Sequence, residues 1–216
     1  MSESTVIDGR RARGDASRRS ILSRATDLAS VDGLDGLTIG RLAETSGHSK
    51  SSIATLFGSK QALQLATIAA AREVFVATIV EPARAEPRGV RRLAALLRNA
   101  LAYSRDRVFT GGCFFAATSA DIDSKPGPVR DAVRAAQADW YGYLTAQVRH
   151  AIASGELSVA EEDAEGIAFE LVALDEHANS RSLLFGDDRA YALAAQAMRR
   201  RLIAEGAEEA MLLGLE

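Results

Sequence analysis

A helical apolar period cut into lengths by glycine and proline leaves this chain few folds to choose from. Between Ile21 and Met198 the apolar residues return at three- and four-residue spacing, and breaks fall at Gly33 and Gly36, Gly47, Gly58, Pro82–Gly89, Gly111–Gly112, Gly127–Pro128 and Gly155. That spacing marks one face of a helix, whereas strands alternate with a period of two. No strand pair or repeat stands out. The pattern predicts an all-α fold of about nine helices.

The first helix is expected from Ser17, with Ile21, Leu22, Ala25, Leu28 and Ala29 inward. The second follows Thr38 and buries Ile39, Leu42 and Ala43; the third follows Ser49 and buries Ser52, Ile53, Leu56 and Phe57. A fourth, capped by Ser59, runs towards Pro82. Beyond the linker-like Pro82–Gly89 come a fifth helix from Val90, a short sixth over Cys113–Ala120 and a long seventh from Pro128. An eighth is expected over Glu161–Phe185 and a ninth from Asp187. Ser, Thr and Asp before these runs supply side-chain oxygens to first-turn N–H groups.

A chain of 216 residues with 47% hydrophobic and 25% charged side chains can bury a core, which argues against wholesale disorder. The single cysteine, Cys113, excludes an intrachain disulfide and a cysteine-based zinc site. The Arg-rich N-terminus lacks the apolar stretch of a signal peptide, and the uncharged run Val108–Ala120 is too short to span a bilayer. A cytoplasmic location is expected, with no membrane partner.

The net charge of −3 is unevenly placed. Residues 1–60 hold nine Lys/Arg against seven Asp/Glu, and the remainder 17 against 22. Arg10, Arg11, Arg13, Arg18, Arg19 and Arg24 face only Asp15 in their stretch. Such an end suits a polyanion, or simply a solubilising tail. Residues 1–14 are expected to form a flexible basic arm.

Residues 38–57, TIGRLAETSGHSKSSIATLF, have the layout of a helix-turn-helix: a short amphipathic helix, a glycine turn and a second capped helix. The second helix would present Lys50, Ser51, Ala54 and Thr55, small enough to enter a major groove closely. Helix pairs of this kind also occur in proteins that never meet DNA.

The surrounding residues narrow the choice. The string R-x-x-I-L-x-x-A-x-x-L at Arg18–Leu28, followed by LTIGRLAETSGHSKSSIATLFGSKQAL at Leu37–Leu63, resembles the N-terminal domain of the TetR family of transcriptional regulators. The resemblance implies a DNA-binding domain over residues 15–62 with its motif at 38–57, and a ligand-binding and dimerisation domain over 63–216. It implies that Thr38 caps the second helix and touches a phosphate, that Ser49, Lys50, Ser51, Ser52, Ala54 and Thr55 form the reading helix, and that Lys60 meets the DNA backbone. Ala54 and Leu56 stand where the family usually carries tyrosine and then histidine or tyrosine. Leu56 is expected in the core, and His48 fills a turn position where a small apolar residue is more common.

In the second domain the resemblance implies a homodimer through the last two helices. Ala164, Ala168, Leu171, Val172, Ala194, Ala195, Ala197 and Met198 could serve that interface or the intramolecular core. A ligand cavity is expected between the sixth, seventh and eighth helices, with Phe109, Cys113, Phe114, Phe115, Trp140, Tyr143, Leu144 and Leu174 as candidate walls. Asp175, Glu176 and His177 are candidate anchors, and few charged groups are expected near Trp140. Each of these could equally be core or solvated face, and Cys113 a redox sensor or an inert thiol.

No nucleophile elbow, zinc-protease motif, phosphate loop or dinucleotide fingerprint is present, and His48, His150 and His177 lie far apart. The expected function is a DNA-binding regulator, a repressor released from a palindromic operator by a small apolar ligand, with no catalytic residues, metal or cofactor. The alternative is a helical adaptor or ligand-binding protein without DNA binding.

Overall fold

The computed structural model describes residues 3–215, with side chains from Gly14 onward. The described residues contain no strand. The helices are α1 (Glu3–Gly36), α2 (Ile39–Ser46), α3 (Lys50–Phe57), α4 (Lys60–Phe75), α5 (Val90–Arg105), α6 (Phe114–Ile122), α7 (Pro128–Ala153), α8 (Ala164–Phe185) and α9 (Arg189–Ala204). A 3-10 turn, Glu161–Asp163, leads into α8, and another, Glu209–Met211, follows α9.

In place of the expected arm, the backbone is helical from Glu3. Met1 and Ser2, and the side chains of Arg10, Arg11 and Arg13, lie outside the described residues. Gly33, at φ +72°, breaks α1 one turn before its end.

Two cores share α1 and α4. The smaller joins Ile21, Ala25 and Leu28 of α1 to Leu37, Leu42, Ile53, Phe57 and Leu63, with Leu56 packed on its edge as expected. The larger takes Ala29 and Leu34 from α1 and Ile68 and Ala71 from α4, then nearly every apolar residue of α5–α9. No linker separates the two cores at residues 62 and 63, because α4 runs unbroken from one to the other. Pro82–Gly89 is a turn within the larger unit: Ala83 is buried, and the Arg92 guanidinium donates to the Glu86 carbonyl oxygen.

After Phe75 the helix widens into a π-turn, Val76–Val80, and ends in Glu81–Ala83. Pro82 accounts for the change of register, since its ring clashes with the carbonyl four residues back and its nitrogen donates nothing. Asn99 Nδ2 donates to the Ile79 carbonyl oxygen at 3.0 Å and satisfies a group the turn leaves open. By length and mean hydropathy Lys60–Ala83 could cross a bilayer, which the sequence reading did not anticipate. Leu63, Thr67, Ile68, Ala71 and Ile79 are instead buried against protein.

Candidate nucleic-acid interface and ligand cavity

The reading head is built by its caps. Thr38 Oγ1 accepts from the Arg41 N–H (3.1 Å), Ser49 Oγ from the Ser52 N–H (3.1 Å) and Ser59 Oγ from the Ala62 N–H (3.1 Å). Each cap satisfies a first-turn donor and stabilises its helix by about 1 kcal/mol. Gly47 at φ +70° turns the chain so that Leu42 and Ile53 meet, both fully buried. Ser49, Lys50, Ser51, Ala54 and Thr55 are all exposed on α3, and Ser52 is half-buried.

These groups do not all stand ready for DNA. Thr55 Oγ1 donates to the Ser51 carbonyl oxygen (2.8 Å), so reading a base requires its hydroxyl to rotate away. Lys60 Nζ donates to the Asp35 carbonyl oxygen (2.8 Å), tying α4 to the end of α1 and leaving two of its donors for a phosphate. The Lys50 ammonium lies over Gly40, beside the N-terminus of α2, where N–H groups and helix dipole both attract an anion. Arg18, counted among the polyanion-seeking arginines, has an internal task. Its guanidinium stacks 4.6 Å from the Phe57 ring centroid and donates to the Leu56 carbonyl oxygen (3.2 Å), holding the end of α3 on α1.

The head is riveted to the larger unit through α1. The Thr110 N–H donates to Asp27 Oδ1 (2.8 Å) and the Gly111 N–H to Ser30 Oγ (2.9 Å). Two residues on, the Cys113 N–H donates to Asn179 Oδ1 of α8 (3.2 Å). A methyl at Gly111 would run into the Ser30 carbonyl, and one at Gly112 into Asn179. The glycine pair is therefore a pinch between α1 and α8. The Asp35 N–H also donates to Asp121 Oδ2 (3.0 Å), and Lys125 pairs with Asp35 and Asp121.

A cavity of about 310 Å³ opens between α4, α6 and α7. Phe75, Val76 and Val80 form one wall, Phe115 the floor, and Ala136, Trp140 and Tyr143 the other wall. Phe75 meets Trp140 edge-on at 5.1 Å, and Phe115 and Tyr103 at 5.7 Å each. Arg72, Arg84, Asp139 and Gln137 complete the lining, which corrects the expectation of few charges near Trp140. Arg72 and Asp139 form an ion pair at 2.7 Å from α4 to α7.

Trp140 and Tyr143 lie on this wall, whereas Phe109, Cys113, Phe114 and Leu144 do not line the cavity. They are buried in the larger core, Phe109 packing on Tyr103 of α5 and on Phe114, and the Cys113 N–H bonding Asn179 of α8. Phe115, one residue on from Phe114, takes the wall position. Leu174 is partly buried against the same core, and His177 is exposed on the outer side of α8. No signal in the sequence singled out Val76 and Val80, since the π-turn that aims them is a tertiary outcome of Pro82 and Asn99.

Asp175 is buried on α8, and its Oδ1 finds no hydrogen-bond partner among the described residues. Burial first, and then the neighbouring Glu176, raise its carboxyl to about 7. Burial also pushes the Cys113 thiol up to about 12, which disfavours the thiolate. Among the described residues no group of His, Cys, Asp and Glu has the arrangement of a metal site.

The small-residue faces of the last two helices belong to the intramolecular core: Ala164, Ala168, Leu171 and Met198 are fully buried within the single chain. The apolar surface left outside is Phe169, Leu184 and Phe185 on α8, 63%, 80% and 61% exposed, with Leu193 on α9.

Comparison with known proteins agrees with this architecture. Residues 21–67 match the family described as bacterial regulatory proteins, tetR family, and residues 89–198 match the tetracyclin repressor-like C-terminal domain. A TetR transcriptional regulator from Chloroflexus aurantiacus is 25% identical with a TM-score of 0.75, over 87% of this chain and 94% of that one. A TetR-family regulator from Agrobacterium tumefaciens is 22% identical with a TM-score of 0.78, over 90% and 100%. AibR, solved with isovaleryl coenzyme A and operator DNA, has the same fold at 16% identity and a TM-score of 0.65, over 76% and 86%. Curated protein sequences gave no match. With both halves matched in order, the chain belongs to the TetR family of DNA-binding transcriptional regulators.

Proposed function

We propose that the protein is a homodimeric repressor that acts in the cytoplasm and leaves a palindromic operator when a small, mainly apolar molecule enters the cavity between α4 and α7. The observation that carries this reading is the course of α4. Its first turn, with Ser59 and Lys60, adjoins the reading helix, and its last turns, with Arg72 and Phe75, wall the cavity. A ligand that favours a different separation of α4 from α7 shifts the head by its differential affinity for the two arrangements. AibR, crystallised with both an acyl thioester and operator DNA, supports the pairing of these two ligand types on this fold.

On the DNA side, Thr38, Ser49, Lys50 and Lys60 serve as phosphate contacts, and Ser51, Ser52, Ala54 and Thr55 face the bases. The exposed Phe169, Leu184 and Phe185 supply an apolar face for a second copy, placing two reading helices roughly 34–36 Å apart. His177 then sits on the dimer face rather than in a ligand site. A helical adaptor would need neither the capped head nor its lysines.

The test begins with duplexes selected from random sequence by the purified protein. Fluorescence anisotropy on a selected palindrome should show two chains per duplex and an affinity that falls steeply with salt, as displaced counterions require. Failure to enrich any sequence, or an affinity indifferent to salt, would sink the reading.

A further inference from the structure

We infer that the molecule filling this cavity is an amphiphilic carboxylate, whose acid group takes Arg72 away from Asp139 and so unfastens α4 from α7. The inference rests on the ligand-release reading above and specifies its ligand.

The cavity is apolar in depth and carries its charged groups, two of them arginines, at its rim. Phe75, Val76, Val80, Phe115 and Trp140 offer no charge to a ligand's body. At the rim stand two guanidinium groups, Arg72 and Arg84, and Arg72 is paired across the opening with Asp139. Arg84 is held by Glu81 of its own helix at 2.7 Å. Arginine suits a carboxylate because its planar fork can donate two parallel hydrogen bonds.

The Arg72–Asp139 pair is the fastening that such an acid would compete for. Its two side chains are 53% and 64% exposed, and an exposed pair is held weakly. A ligand carboxylate arriving from inside the cavity offers Arg72 the same charge without requiring α7 as a neighbour. The ligand's apolar body meanwhile separates Phe75 from Trp140, the aromatic contact between the same two helices. Both attachments between α4 and α7 described at this wall are thereby exchanged for contacts to the ligand. The acidic side chains of α8 do not compete, since Asp175 is buried away from the cavity and Glu176 accepts from Gln137.

Trp140 is the only tryptophan, so its emission reports on the cavity wall directly. Decanoate, decan-1-ol and decylamine share one apolar body and differ in head group. Decanoate should shift the emission saturably at a concentration at least tenfold lower than either of the others. Arg72→Gln should weaken decanoate at least tenfold and leave decan-1-ol unchanged, Arg84→Gln should weaken decanoate less, and Asp139→Asn should tighten it by removing the competitor. Equal or tighter binding of decylamine, an Arg72→Gln protein that binds decanoate as before, or no saturable shift with any of the three would overturn the inference. The same titrations on the operator complex separate the two claims. Decanoate that binds at Trp140 without releasing DNA removes the release reading and leaves the ligand class standing. Release by the alcohol or the amine, with decanoate inert, keeps release and overturns the class.

Discussion

The two cores of this molecule are finished to different degrees. In the smaller one, around Leu42 and Ile53, the helix starts are capped and the apolar faces are aliphatic apart from Phe57. Among the described residues, the buried side-chain atoms without hydrogen-bond partners, on Tyr103, Ser104, Arg130, Gln147 and Asp175, all belong to the larger unit. That unit also holds the π-turn, the cavity and a cluster of aromatic rings meeting edge-on. A reading head must present one shape to DNA, which full satisfaction of its polar groups secures. A sensing unit must have two arrangements close in free energy, and unpaired polar groups together with an unfilled space keep the apo arrangement from being strongly preferred.

The contrast can be broken most forcefully in the small core. Leu42→Ala should cost about 3 kcal/mol, the transfer loss plus an unfilled cavity. DNA binding should vanish while Trp140 emission in the larger unit stays native, and an equal loss of both would show that the cores melt as one. Gly111→Ala attacks the junction, where the added methyl meets the Ser30 carbonyl. Overpacking of this kind should cost about 2 kcal/mol in thermal denaturation, and an unchanged melting temperature would mean that the pinch opens freely.

Asp175→Asn sharpens the other side of the comparison. Because the folded carboxyl is raised from 3.8 to about 7, the folded state holds a proton that the unfolded chain has already lost at intermediate pH. Native stability should therefore decline as pH rises from 4 to 7 and level off above, through this group. Glu176 on the same helix opposes its ionisation, while Tyr103 of α5, Cys113 before α6 and Tyr191 of α9, all raised by burial and by the Asp175 charge, stay uncharged in this range. The variant should gain little at pH 4 and at most about 4 kcal/mol at pH 8, since each unit of the shift corresponds to about 1.4 kcal/mol. A gain independent of pH would place the carboxyl in a solvated site. Ser49→Ala should have the smallest effect, about 1 kcal/mol from the lost cap. It should weaken operator binding more than it lowers the melting temperature, and intact binding would relieve Ser49 of any part in DNA contact.

The small core was legible because local chemistry decides it. Thr38, Ser49 and Ser59 announce helix starts, Gly47 permits the turn, and the three-four spacing of Ile21, Ala25 and Leu28 names the buried face. The larger unit obeys the same period, but there the period cannot tell core from cavity. Phe114 and Phe115 are adjacent and chemically equal, and only the packing of α6 decides that Phe115 faces the space. Ala168 and Leu171 suit a dimer seam and an internal seam equally well, and the position of α9 assigns them to the internal one. Charge misled for a related reason: Arg72 and Asp139 are far apart in sequence, so nothing local reveals that they meet across a pocket.

The pinch at Gly111 and Gly112 carries a consequence for how a signal travels. On one side the loop hangs from Ser30 of α1, on the other from Asn179 of α8, with one residue, Gly112, between the attachment points. In the proposed dimer through α8, each head would be anchored to the symmetry axis by a strut of almost no length, and α4 would act as a crank turning against that strut. A crank without a fixed bearing moves nothing. Substitutions that leave the cavity full and the operator bound, yet sever one from the other, should therefore map to the bearing as readily as to the crank.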